Sequence, residues 1–269
     1  MQQVLPGKRE WGIFYGLLAA TVFTTYLAGG WMFSFSLLLI LGSHEFGHYF
    51  ASRRNHVRAT LPYFIPAPPV FIAGTFGAFI RIQQRIPDRR VLMEIGAAGP
   101  LTGFVVAVPV LWVGLGMSTV TPGEAVTGLS FGGSLILELM ARLVLGVSPF
   151  AEGLNIQLHP VAFAGWIGMF VTALNLLPIG QLDGGHVMSA MFPEKYPWLA
   201  RLFYLFLFPL GYFWPGWWFW ALMITLVGGL QPAPIWDATL ELAPRHRRLG
   251  LVSMVIFVLT FIPVPFQVS

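Results

Sequence analysis

The feature that most restricts this chain is the recurrence of apolar runs, most of them about 17 to 25 residues long, the length that crosses the hydrocarbon core of a bilayer. They cover Trp11–Gly29, Trp31–Ala51, Leu92–Met117, Val161–Ile179, Leu202–Phe213, Trp214–Leu230 and Leu249–Val264. Of 269 residues, 56% are hydrophobic and only 10% charged, and mean hydropathy is +0.73. Soluble domains carry about 25% charged residues, so the expected fold class is an all-α polytopic membrane protein with about six to seven transmembrane helices in a lipid bilayer. The count turns on 202–230, where Pro209, Gly211, Pro215 and Gly216 interrupt an aromatic run and make either two short spans or one kinked span.

The net charge of +4 does not point to nucleic acid, because the basic residues flank the apolar runs, and Lys and Arg are retained on the cytoplasmic side of membranes. With the N-terminus inside, every Lys and Arg except Arg142 falls in a cytoplasmic loop. The first run follows Lys8 and Arg9 but is too long for a signal peptide and has no small-residue cleavage site, so it reads as a retained anchor. The segment Ser118–His159 becomes external; it carries Glu124, Glu138 and Glu152, and Gly132–Val147 reads as an interfacial helix. Cysteine is absent, which leaves only nitrogen and oxygen ligands for a metal. No repeat or hydrophilic linker divides the chain, so residues 1–269 are expected to form one membrane domain, with a core at about 31–190.

Between the second and third runs the chain reads ATLPYFIPAPPVFIAGTFGAFIRIQQRIPD. Its prolines, followed by weak alternation, predict a small loop or β-ribbon at the cytoplasmic membrane face.

Ionisable groups inside such a chain are costly and mark function by default. His44 and His48, four apart in GSHEFGHYFASRR, share one helix face a turn apart, able to hold one Zn²⁺ with Glu45 beside it as general base. The bland alternative is a pair of polar residues hydrogen-bonded between helices. A tetrahedral catalytic zinc needs a third protein ligand and an open position. Of the three Asp, Asp88 and Asp237 lie in basic, loop-like stretches, whereas Asp183 follows an apolar run in NLLPIGQLDGGH. At about 1.5 Å per helical residue, His48 and Asn175 both lie roughly 8 Å from the cytoplasmic boundary, so the two clusters converge in depth. Pro178, Gly180, Gly184 and Gly185 permit irregular backbone, tolerated in membranes only where it is buried in protein or lines a watery cavity.

HEFGH, together with Asn175, Pro178, Asp183 and Gly184 of NLLPIGQLDG, resembles the site-2 protease family of intramembrane zinc metalloproteases. AAGPLTGF and GTFGA are also similar to family segments. The likeness is nearest to members without a PDZ insertion, including plant plastid homologues, and the chain shows no CBS tail. The resemblance implies one zinc held by His44, His48 and Asp183, Glu45 as acid and base, and Asn175 as a polar contact near the scissile peptide. It also implies a membrane-protein substrate, usually single-span. Asn175 has an alternative role as an interhelical or capping amide, and His186 as a polar lining residue rather than a second-layer group. GTFGAFIRI is the candidate strand edge for an unwound substrate. Glu94 is expected to pair with Arg90 at (i, i+4), and His56, His159 and His246 to sit at interfaces with no special role. Two other function classes stay open: a membrane zinc-binding or transport protein, and an inactive relative that binds transmembrane segments.

Overall fold

The computed structural model describes residues 7–68, 70–123, 129–149, 151 and 153–268; Glu124 and Glu152, of the segment expected to be external, lie outside the described residues. Two helices, α1 (Lys8–Arg54) and α2 (Arg89–Gly116), are long and apolar enough to cross a membrane. The first is a hairpin rather than a rod. Gly30 has φ +78° and ψ −178°, a conformation that breaks the helix and that side chains resist. Thr25 Oγ1 therefore lies 2.6 Å from Ser34 Oγ, and the Phe14 and Phe46 rings are 6.3 Å apart, where a straight helix would separate those two residues by about 48 Å. Each arm, 8–29 and 31–54, is about the length of a bilayer core, and the division falls between the first two apolar runs.

The remaining helices are α3 (Leu135–Leu145), α4 (Pro160–Asn175), α5 (Asp183–Met191), α6 (Tyr196–Phe213), α7 (Gly216–Val227) and α8 (Pro244–Thr260). The interfacial helix expected over Gly132–Val147 is α3, capped by the Ser134 hydroxyl, which accepts from Leu137 N–H. The aromatic run over 202–230 forms two helices: α6 and α7 turn at Trp214 and Pro215, and Tyr204 Oη meets Thr225 Oγ1 at 2.8 Å. Helix α4 packs against both α1 and α2, and its Trp166, 1% exposed, belongs to a core with Phe33, Leu37, Ile40 and Leu111. By contrast Phe23, Phe35, Phe50, Val105, Leu205 and Val255 are each more than half exposed. Apolar surface on that scale is stable against lipid and not against water.

The all-α expectation needs one correction. The expected ribbon is present, β1 (Tyr63–Pro66) paired antiparallel with β2 (Thr75–Phe79), but three further two-stranded sheets accompany it: β3 (Ile86–Asp88) with β7 (Ile235–Asp237), β4 (Thr119–Pro122) with β6 (Leu154–Gln157), and β5 (Leu129–Phe131) with β8 (Phe266–Val268). Their strands have three or four residues, too few for an alternating pattern, and two of the three pairs join segments more than a hundred residues apart.

Candidate metal centre

The second arm of α1 carries His44 and His48, and α2 crosses it closely enough for both imidazoles to lie against its backbone. Glycines make this approach possible. A Cβ at Gly99 would stand 2.0 Å from His48 Nε2, and one at Gly103 would stand 3.2 Å from His44. His48 Nδ1 lies 2.7 Å from the Ile95 carbonyl; a carbonyl only accepts, so Nδ1 carries the proton and Nε2 keeps its lone pair for a ligand.

The third donor arrives by a local chain reversal. Helix α4 ends at Asn175, ahead of Pro178, which helices rarely continue through. The loop that follows folds against the start of α5: a Cβ at Gly184 would stand 2.0 Å from the Leu176 carbonyl oxygen, so only glycine allows that packing. Tyr196 Oη donates to the Gly180 carbonyl at 3.3 Å, and Gln181 Nε2 donates to that of Gln231 at 2.9 Å. Asp183 is thereby held as the first residue of α5, where a carboxylate suits the helix dipole.

The three donors converge. His44 Nε2 and His48 Nε2 are 3.1 Å apart, and each is 3.2 Å from Asp183 Oδ2. The edge of a zinc tetrahedron with nitrogen and oxygen ligands is about 3.3 to 3.4 Å, so the triangle fits such an ion nearly unchanged. Two imidazoles and one carboxylate are also the donor set of a catalytic site that keeps a position open. Among the described residues, this is the one group of His, Asp and Glu side chains arranged to hold a metal.

Two more polar groups border the triangle. Asn175 Nδ2 lies 3.3 Å from His44 Nε2, which puts its amide at the rim. Glu45 is 6% exposed, and the Ile80 backbone lies beside its carboxylate. Ile80 follows β2 on a segment that continues the ribbon. Thr60 N–H donates to the Arg81 carbonyl and Gln83 N–H to that of Arg58, so the odd-numbered residues face the strand partner. The backbone of Ile80 and Ile82 faces the opposite edge, where no strand pairs among the described residues.

The structure thus brings His44, Glu45, His48, Asn175 and Asp183 together and leaves the other candidates out. Asp88 caps α2, accepting from Arg90 and Val91 N–H; Asp237 accepts from Thr239; His159 caps α4 through Nδ1; and His56 takes φ +56° in a turn. His186 is buried beside the triangle, its Nδ1 without a hydrogen-bond partner, and it lines a cleft of about 580 Å³ together with residues 79–86 and Gln181.

Two expectations fail. Glu94 does not pair with Arg90, whose Nε donates to the Glu241 carbonyl; it accepts instead from Asn55, Arg245 and His246. His246 is not an interfacial spectator but 1% exposed. The short (i, i+4) spacing competes here with three partners brought in by α1 and α8, and tertiary contact wins. The glycines of α2 were also not assigned a role from sequence, although Gly96, Gly99 and Gly103 recur at three and four residues, the spacing of one helix face.

A helical protein of apolar surface with an HExxH face and a third carboxylate donor defines a class, and the comparisons supply the family. The sequence model of Peptidase family M50 matches residues 32–201; the chain belongs to that family. It is 36% identical over 167 residues to the probable zinc metalloprotease EGY1, chloroplastic, of Arabidopsis thaliana, an alignment covering 60% of this chain and 30% of the relative. Against EGY1 of Oryza sativa subsp. japonica identity is 32% over 235 residues, 86% of this chain and 40% of the relative. Against EGY2 of Arabidopsis thaliana it is 28% over 242 residues, 85% and 41%. The chain spans less than half the length of these relatives. No solved structure matches it.

Proposed function

We propose that the chain is an intramembrane zinc metalloprotease that hydrolyses peptide bonds within or next to the transmembrane segment of a membrane-protein substrate. The observation that carries this reading is the meeting, at one place, of a three-donor metal triangle, a carboxylate that is not part of it, and an unpaired strand edge.

His44, His48 and Asp183 would hold the ion, and its chemistry there is to make a bound water acidic and to polarise a carbonyl. Glu45, beside the triangle but outside it, takes the proton from the attacking water and returns it to the leaving amine. Asn175, at the rim, donates its amide to the substrate carbonyl or holds the adjacent backbone. A substrate helix hides its peptide bonds in its own hydrogen bonds, so a segment must unwind first. The free edge at Ile80 and Ile82 offers that segment replacement partners by strand addition, with Glu45 beside it.

Seven crossings, with the N-terminus and the active-site side cytoplasmic, suit this reading. Alternation puts β1, β2, β3 and β7 on the inner side and β4, β5, β6 and β8 on the outer side, and every sheet joins strands of one side only. Helix α7 has 12 residues and reaches about 18 Å, so the rest of its crossing falls to 228–234, whose backbone is covered by the α4–α5 loop through the Gln181–Gln231 bond.

The test uses the full chain in lipid nanodiscs with single-span polypeptides. Wild type should bind about one zinc per chain and cut within or beside the apolar helix, and Glu45→Gln should keep the zinc and lose the cutting. Zinc movement across vesicles that persists in Glu45→Gln, without cleavage by wild type, would favour the transport reading instead.

A further inference from the structure

Resting on the protease reading, the structure assigns a charge preference to the substrate: we infer that the segment running out of the membrane beside the scissile bond is acidic. The cleft that His186 lines beside the metal triangle has two walls. One is the strand continuation that carries Ile80, Arg81 and Arg85; the other is built from Gln181, His186 and the start of β7. Both are fixed. Strands β3 and β7 pair in parallel, Ile86 with Ile235 and Asp88 with Asp237, which locks 85–88 to 233–237. Gln181 is bonded to Gln231 from the other side.

No carboxylate lines this cleft among the described residues, although it measures about 580 Å³ and opens at the protein surface. Its charged groups are Arg81 and Arg85, both exposed. The Arg85 guanidinium lies over the Trp236 ring, 4.9 Å from its centroid, which holds the cation at the rim. Among the described residues neither arginine is in an ion pair. The Asp88 carboxylate is turned to the backbone of α2 and that of Asp237 to Thr239. Retention of positive charge on the inner face accounts for arginines in this loop; it does not account for their lining, with Ile80 and His186, a cleft free of carboxylates.

An extended segment paired at Ile80 advances about 3.3 Å per residue, so it passes Arg81 and Arg85 within roughly five residues of the scissile bond. Acidic side chains there meet both cations, and basic ones meet repulsion.

Binding to Glu45→Gln and cleavage by wild type separate this inference from the reading beneath it. The probes are three single-span polypeptides with one apolar helix, differing only in a five-residue flank rich in Asp, Ser or Lys. In Glu45→Gln nanodiscs the Asp flank should bind roughly fivefold to tenfold more tightly than the Lys flank, the scale of two exposed ion pairs, and the gap should shrink at high salt. Adding Arg81→Gln and Arg85→Gln should flatten the order and Arg81→Glu with Arg85→Glu should invert it, with zinc content reporting that each variant folds. Equal affinities, or an order that survives charge reversal, overturn the inference whether or not wild type cuts. An order with the predicted reversal but no cleavage upholds the cleft and overturns the hydrolase.

Discussion

Two polar clusters lie between the second arm of α1 and α2, and they are built on opposite plans. Around Glu94 both carboxylate oxygens have donors: Oε2 receives Asn55 Nδ2 at 2.8 Å, and Oε1 faces His246 Nε2 at 3.1 Å and Arg245 Nη2 at 3.4 Å. Around Asp183, two imidazole nitrogens and a carboxylate oxygen face one another within 3.2 Å, and the proton of His48 is directed away to the Ile95 carbonyl. In the first cluster the carboxylate is satisfied by protein donors and ties the end of α1 to α2 and α8. The second points lone pairs at a common centre, an arrangement that a cation completes.

The sharpest way to break this comparison is to remove the room the second cluster needs. Gly99→Ala puts a methyl group 2.0 Å from the present position of His48 Nε2, so zinc content is expected to fall from about one per chain toward zero and cleavage to vanish with it. A variant that folds and keeps its zinc would mean that α2 does not set the position of His48. The next effect is chemical. Glu45→Gln leaves the triangle intact and should lower kcat by about 10² to 10⁴ at unchanged metal content, the span attributed to a positioned acid–base group; a rate near wild type would transfer the proton to another group. Asn175→Ala should cost about 10² to 10³ in rate if its amide serves the developing negative charge. Loss of zinc in that variant would make it a support for His44 instead.

How much of this could be read from residues alone follows the same division. The metal cluster announces itself because two of its donors lie on one helical turn and the third lies beside Pro178 and glycines in an otherwise apolar run. The Gly30 break was visible as the point where one apolar run ends and another begins. The Glu94 cluster has no such signature: residues 55, 94, 245 and 246 come from the end of α1, α2 and α8, and the only local pattern, Arg90 with Glu94, pointed to the wrong partner. The added sheets were hidden for a similar reason, since Ile86 and Ile235 have no sequence relation that marks them as neighbours. Local spacing carries information about chemistry that must occur on one turn, and very little about contacts assembled by the whole bundle.

The smallest effect on activity and the clearest contrast comes from the completed cluster. Glu94→Gln keeps the shape but removes the charge that accepts from His246 and Arg245, so α8 should loosen from α1 and α2. A cost of about 1 to 3 kcal/mol is the scale for leaving a buried partner unpaired, and it should appear as a lower Tm of the detergent-solubilised protein. Zinc content and the kcat ratio between wild type and Glu45→Gln should not move, because no atom of Glu94 contributes to the metal triangle. His246→Gln, which keeps a donor near Glu94 Oε1, should recover part of the stability that His246→Ala loses. If Glu94→Gln instead releases zinc while Tm holds, the two clusters are coupled through the helix that carries His48 and ends at Asn55, and the division between a structural and a catalytic cluster fails.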